Sequence, residues 1–326
     1  MAKFMPEDQQ IPAAITLSAC PVCKGADHRP VSRPLFGIGQ DIFSSFWNEL
    51  GLVRCRSCSL VFVNPRPNQA ALNQFYSSKS YICHNHTYGA EARFLTQHAQ
   101  IINALLCRQI SSPQPELLDY GCGGGYLLHY LSKLGWSVYG YDIGQRALDT
   151  SRSHGLKVTN SREELLQRTY DAVTLCHSFE HVSDPEELLG FLKRLIKPGG
   201  VLLIEVPNAL SLRAILSCPF FVRHAHFDER YRAFPIHLFH YMPKTLQRAL
   251  IVNGYKPVKV TTTSIGLPHL LREVDEDATS EKPAEEAPTS IIAKSAIWKR
   301  IIKSALFNSL LGDSLIIISK PANHAL

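Results

Sequence analysis

ELLDYGCGGGY, residues 116–126, is the stretch on which the fold turns. A short apolar run ends in an acid, Asp119, and passes directly into a glycine-rich turn that opens the helical pattern YLLHYLSKL. Gly121, Gly123, Gly124 and Gly125 let the backbone approach a ligand closely and adopt angles closed to other residues. About 20 residues further on, SVYGYD ends a second strand in Asp142, where a carboxylate can accept hydrogen bonds from a ribose diol. The pair implies an adenosine-type cofactor. Outward from this centre, strand and helix patterns alternate: QRALDTSRSHG, YDAVTLC, PEELLGFLKRLI and VLLIEVP. Such alternation predicts an α/β fold with a parallel, doubly wound sheet. A helix at PKTLQRALIVNGY and two strands, PVKVTTT and SLIIISK, follow. No internal repeat at a fixed period is present.

Dinucleotide folds also combine a glycine turn with a later acid, so two cofactor classes compete. Asp119 separates them. Just ahead of the glycines it would repel a pyrophosphate but attract the cationic methionine portion of S-adenosylmethionine (SAM). SAM is the favoured cofactor, and an NAD-dependent oxidoreductase stands as an alternative. A non-catalytic SAM-binding or zinc-bearing interaction protein is another.

LLDYGCGGG, YGYDI and DAVTLCHSFEHVSDPEELLGFLKRLIKPGGVLLIEVPN resemble the motifs of class I SAM-dependent methyltransferases, from about Leu117 to Lys320. That resemblance implies a Rossmann-like fold with a mixed seven-stranded sheet, SLIIISK being inserted at an antiparallel edge. It also implies that Asp119 and the glycines hold the methionine end of SAM and that Asp142 holds the ribose. Tyr120, Cys122, Tyr126 and Ile143 flank these turns. Cys176, His177 and His181 lie at the carboxyl end of the next strand, where open α/β sheets bind ligands, and complete the expected cofactor wall.

Cys20, Cys23, Cys55 and Cys58 form two CxxC knuckles, the spacing of a closed thiolate site, and a structural Zn2+ is the expected occupant. Four protein ligands leave no open position, so this metal should fold its module rather than do chemistry. Cys83, Cys107, Cys122, Cys176 and Cys218 have no comparable spacing and read as core or turn residues. The whole arrangement resembles bacterial methyltransferases in which a zinc ribbon precedes the catalytic domain. Those include deoxysugar C-methyltransferases and surface-polysaccharide proteins. The resemblance rests on CRSCSLVFVNPRPNQAALNQFYSSKSY and FPIHLFHYMPKTLQRALIVNGY.

The expected organisation is a zinc-binding module over 1–64, a helical junction or lid over 65–112 and a SAM-binding core over 113–271. An acidic flexible insert over 272–290 and an amphipathic helix with the last core strand over 291–326 follow. The 326 residues carry 45% hydrophobic and 19% charged residues, which suits a globular chain and excludes a fibrous one. The net charge of +6 is scattered rather than clustered, which argues against nucleic acid and suits an anionic small acceptor such as a sugar nucleotide or lipid-linked glycan. The N-terminus lacks the apolar core of a signal peptide, and no uncharged run could span a bilayer, so a cytoplasmic location is expected. The helix around Trp298, with Lys299, Arg300 and Lys303, can pack on a sheet edge or lie on a membrane surface.

Methyl transfer from a sulfonium needs in-line approach of a nucleophile and, for a weak one, a base. His181 and His237 are the candidates, with His240 and Tyr241 behind them, and Tyr76 and Tyr81 can close over the substrate. His177 to His181 also match HxxEH, but a peptidase metal site needs both histidines on one helix face. Here the motif follows a strand and precedes Pro185 at a helix start.

Overall fold

The computed structural model describes residues 13–31, 41–77, 92–211, 214, 233–263 and 312–322. Tyr81, Cys83, Cys218, the acidic insert and Trp298 with its helix lie outside them. The N-terminal part holds strands β1 (Ala14–Ile15), β2 (His28–Val31), β3 (Leu52–Cys55), β4 (Val61–Val63) and β5 (Arg66–Pro67), then helices α1 (Gln69–Ser77) and α2 (Ala92–Cys107). From there the chain alternates as β6 (Glu116–Tyr120), α3 (Tyr126–Lys133), β7 (Ser137–Tyr141), α4 (Gln145–Ser153), β8 (Val158–Thr159) and α5 (Arg162–Leu165). Next come β9 (Tyr170–Cys176), α6 (Pro185–Lys193), β10 (Ile196–Pro207), β11 (Phe239–His240), α7 (Pro243–Val252), β12 (Tyr255–Thr263) and β13 (Ser314–Pro321).

Seven strands form one mixed sheet in the order β12-β13-β10-β9-β6-β7-β8, as the Rossmann-like reading expects. β6 to β10 run parallel, and β13 is inserted antiparallel between β10 and β12. Leu315 to Ile318 are all fully buried, the signature of a strand covered on both faces. α6 starts at Asp184, whose carboxylate accepts the Glu187 amide, with Pro185 at the first helical position. The KPGG segment, residues 197–200, lies within β10, where pairing with β9 slips between Ile196 and Val201. Gly200 allows that irregularity, since a Cβ there would sit 2.8 Å from the Asp171 carbonyl oxygen.

A second sheet has the order β11-β4-β3-β2. β11 lies far beyond β4 in the chain, yet Phe239 pairs with Phe62 and His240 with Val61. One apolar core consequently runs from Cys20, Phe43 and Trp47 through Phe75, Phe179 and Tyr241 to β9 and β10. On the opposite face of the large sheet, α2 buries Ala99, Ile102 and Leu106 against Leu127, Leu131, Leu203 and Ile316. This packing carries His98, on the same helix stripe, to the carboxyl edge of the sheet.

Candidate functional site

The glycine turn is tied to the end of β7. Gly121 and Cys122 donate their amides to the Tyr141 carbonyl at 2.7 and 3.0 Å. Gly121 has φ of +86°, and a Cβ there would lie 2.6 Å from Ser178 Cβ, so both the angle and the space require glycine. Ser178 in turn donates to the Tyr120 carbonyl at 2.9 Å, which brings the segment after β9 against the turn. Asp142 accepts the Gly123 and Gly144 amides, each at 2.8 Å, and burial raises its pKa against those bonds. Each carboxylate oxygen retains a lone pair for a ligand. Ile143 beside it is 55% exposed, an apolar surface at the mouth of the turn.

Asp119 is nearly sealed, at 3% exposure, and accepts a hydrogen bond from Thr174 Oγ1 at 2.7 Å. Burial raises its pKa from 3.8 to about 7, over the opposing influence of Thr174 and His98. The carboxyl expected to attract a cation is therefore half protonated near neutral pH before any ligand arrives. Cys122 turns its side chain into the core, leaving its backbone to face a ligand. Tyr120 stacks on Tyr141 with centroids 4.3 Å apart, and Tyr126 bonds through its hydroxyl to His98 Nδ1 at 3.3 Å.

Beside the turn lies a polar cluster that sequence reasoning found only in part. His98 Nε2 meets Glu205 Oε2 at 2.6 Å with both side chains buried, and Cys176 lies in reach of the pair. His177, at φ of +54°, places Nε2 3.6 Å from Glu205 and Nδ1 3.7 Å from Glu180. Burial opposes its charge, but Glu180 and Glu205 override that and raise His177 to about 10. The side chain is 44% exposed, so water screens part of this attraction. Glu205 sits well below the carboxylate range: burial works against ionisation, and His98 and His177 outweigh it.

His181 and His237, listed from the sequence as separate base candidates, come together with ring centroids 4.6 Å apart. His181 Nδ1 lies 3.0 Å from the Ile236 carbonyl oxygen, and Tyr76 approaches its ring edge-on at 6.3 Å. Glu180 completes the group, 3.9 Å from His237 Nε2. His240 and Tyr241 do not join: both are buried, His240 on β11 and Tyr241 stacked on Phe179. Glu180 stood in the sequence only as part of HxxEH, and Glu205 and His98 belonged to no motif. Glu205 was detectable as the one acid inside the apolar run VLLIEVP, since a charge there must be paired.

The cysteine knuckles repeat one turn. Lys24 donates to the Cys20 carbonyl and Ser59 to the Cys55 carbonyl, both at 2.9 Å, and both donors have positive φ. Cys20 and Cys58 sulfurs are 3.6 Å apart, and Cys23 and Cys55 sulfurs 3.4 Å. A tetrahedron with metal–sulfur bonds of about 2.3 Å has edges of about 3.8 Å, so the four sulfurs fit a zinc ion with small adjustments. The hydrogen bond from Cys58 pulls the Cys20 thiol down to about 5, against burial. At the rim, Lys24 pairs with Glu186 and Ser183 with Gln69, joining the knuckle and α1 to the segment around α6.

The profile of a family described as a methyltransferase domain matches residues 90–260. Among curated proteins, the chain is 32% identical over 127 residues to a ubiquinone biosynthesis O-methyltransferase of Colwellia psychrerythraea (strain 34H / ATCC BAA-681), covering 36% of this chain and 51% of that protein. It is 36% identical over 104 residues to the protein of the same description from Proteus mirabilis (strain HI4320), covering 28% of this chain and 42% of that one. The chain thus spans about half the length of the curated relatives it matches. Among solved structures, a SAM-dependent methyltransferase from Archaeoglobus fulgidus matches at 24% identity and a TM-score of 0.43, over 68% of this chain and 94% of that one.

Proposed function

Since this chain belongs to the methyltransferase-domain family, we propose that it transfers the methyl group of SAM to a small-molecule acceptor, a hydroxyl-bearing sugar nucleotide or glycan intermediate. The observation that carries the reading is a shared edge. The glycine turn with Asp142 and the Glu180–His181–His237 group stand side by side, with Ser178 packed between them on Gly121. Bound SAM supplies an electrophilic methyl group on a sulfonium. The chain's own residues do the rest.

Asp142 and the amides of the turn hold the ribose, Ile143 covers the adenine, and Asp119 faces the methionine end. Tyr120, Gly121, Cys122 and Gly123 contribute backbone, while Tyr126, Cys176 and His177 close the wall. His181 and His237 face the acceptor, and the acceptor's proton leaves at their cluster, Tyr76 helping to orient the ring of His181. Oxygen as the methylated atom is supported by the O-methyltransferases among the relatives. The sugar or glycan part rests on the zinc-ribbon resemblance and the positive net charge. Zn2+ at Cys20, Cys23, Cys55 and Cys58 would hold the N-terminal module, and through β4 and β11 the segment that carries His237.

Calorimetry with SAM, S-adenosylhomocysteine (SAH) and NAD tests the cofactor. SAM and SAH should bind the parent protein and fail to bind Asp142→Ala, whereas NAD binding without SAM binding overturns the assignment. Turnover of SAM against a panel of nucleotide sugars and lipid-linked glycans tests the acceptor. Full turnover in both His181→Ala and His237→Ala would remove the histidines from the reaction.

A further inference from the structure

We propose that Glu180, His181 and His237 bind a divalent cation of the first transition row, at a site separate from the four cysteines. The starting point is Glu180. Its side chain is 1% exposed, and neither carboxylate oxygen has a hydrogen-bond partner among the described residues. Among the described residues, His177 Nδ1 at 3.7 Å and His237 Nε2 at 3.9 Å pair with it from outside hydrogen-bonding distance. A sealed carboxylate with bare oxygens is costly, and an ion between it and the facing imidazoles removes the cost.

The histidines are prepared for that role. His181 Nδ1 is 3.0 Å from the Ile236 carbonyl oxygen, which can only accept, so the proton sits on Nδ1 and the Nε2 lone pair is free for a metal. A carbonyl behind the ring is the usual second support of a metal-binding imidazole. His237 is placed by its amide bond to the Ala233 carbonyl at 3.0 Å, in a turn anchored by Phe234 against Trp47. One donor atom from each of Glu180, His181 and His237 lies within 4.8 Å of the others. Metal bonds of about 2.0–2.2 Å place such atoms some 3–4 Å apart, so side-chain rotation suffices to close the set.

Two imidazoles and a carboxylate suit Zn2+, Co2+, Fe2+ or Mn2+, and three protein ligands leave positions open for an oxygen. The ligand pair within the chain is Glu180–His181 on the turn 179–181, completed by His237 from a distant loop, so no helix face is needed. The neighbouring His98, Cys176 and Glu205 group has no such demand, because His98 and Glu205 already meet at 2.6 Å. On the methyltransferase reading, the cation would take the acceptor hydroxyl and lower its pKa. Cation binding itself does not depend on that reading.

The test is Co2+ titration of the full chain after its thiolate site has been filled with Zn2+. One further equivalent should bind with weak visible bands and without the intense sulfur-to-cobalt charge transfer of a cysteine site. X-ray absorption of the parent protein should show nitrogen and oxygen scatterers with the imidazole pattern. Glu180→Gln and His237→Asn should weaken cobalt more than ~100-fold, beyond the range of an outer-shell change. Exposed His154→Asn should not. SAH calorimetry on each variant reports that the fold is intact. Absence of a second equivalent in the parent, sulfur scatterers around it, or unchanged cobalt affinity in both variants overturns the site. A parent protein that binds cobalt but no SAH would instead refute the methyltransferase reading alone.

Discussion

Asp119→Asn should make the ligand-free protein more stable at alkaline pH while weakening its hold on SAM. Burial raises the Asp119 pKa from 3.8 to about 7, so between those values the folded protein keeps a proton that the unfolded chain has released. Stability falls as pH rises through that window and stays reduced above it. At about 1.4 kcal/mol per pH unit, the penalty is roughly 1.6 kcal/mol at pH 5 and on the order of 4 kcal/mol above pH 7. Asn has the same shape, accepts from Thr174 through its carbonyl oxygen, and never ionises. Relative to the parent it should therefore gain roughly 3 kcal/mol between pH 5 and pH 8, read from urea unfolding at the two pH values. Cofactor affinity moves the other way. An ionic partner contributes roughly 1.5–3 kcal/mol, so SAM should bind ~10- to 100-fold more weakly at pH 8. A stability difference that is the same at both pH values would refute the buried-proton argument, and undiminished SAM affinity would detach Asp119 from the cofactor.

Gly121→Ala forces φ of +86° on a residue with a Cβ and drives it to 2.6 Å from Ser178 Cβ. It should cost about 1–2 kcal/mol in backbone strain alone and abolish SAH binding by calorimetry. Glu205→Gln leaves His98 and His177 without their shared carboxylate, which should destabilise the protein by on the order of 3 kcal/mol in urea. Because the Glu205 pKa is depressed on folding, that loss should be full above the usual carboxylate range and shrink as pH falls. Removing zinc with a chelator, followed by a colorimetric zinc assay, should loosen β4 and with it β11. Turnover should then fall while SAH affinity stays within about threefold, since Asp142 and the glycine turn lie on the other sheet.

The large sheet was legible because its strands and helices differ in period and in punctuation. Val201 to Ile204 and Leu315 to Ile318 are continuous apolar runs that only a doubly covered strand supports, and α3 to α6 are each introduced by a cap or a glycine. The glycine turn and Asp142 were legible for the same local reason. β11 was not, because a two-residue strand has no period and its partner is β4, far away in the chain. The pairing of His181 with His237 depends on that same excursion. HxxEH was readable as not forming one α-helical face, and the short 3-10 turn over 179–181 agrees, but local spacing says nothing about a third ligand from another loop.

What spacing could least reveal is the balance of charge at the carboxyl edge. Asp119, Asp142, Glu180 and Glu205 are all buried within the same patch. Against them stands His177, raised to about 10 by Glu180 and Glu205 over the opposing effect of burial, while His98 is bonded to Glu205 at 2.6 Å. Asp119 meets the shortage by keeping a proton, while Glu180 is left with bare oxygens. Each acid therefore has something to gain from an arriving positive charge, and a pyrophosphate would deepen the deficit. The preference for a sulfonium nucleoside over a dinucleotide thus comes from the whole buried set. Asp119, the acid that the sequence put forward, is the member that responds most visibly to pH.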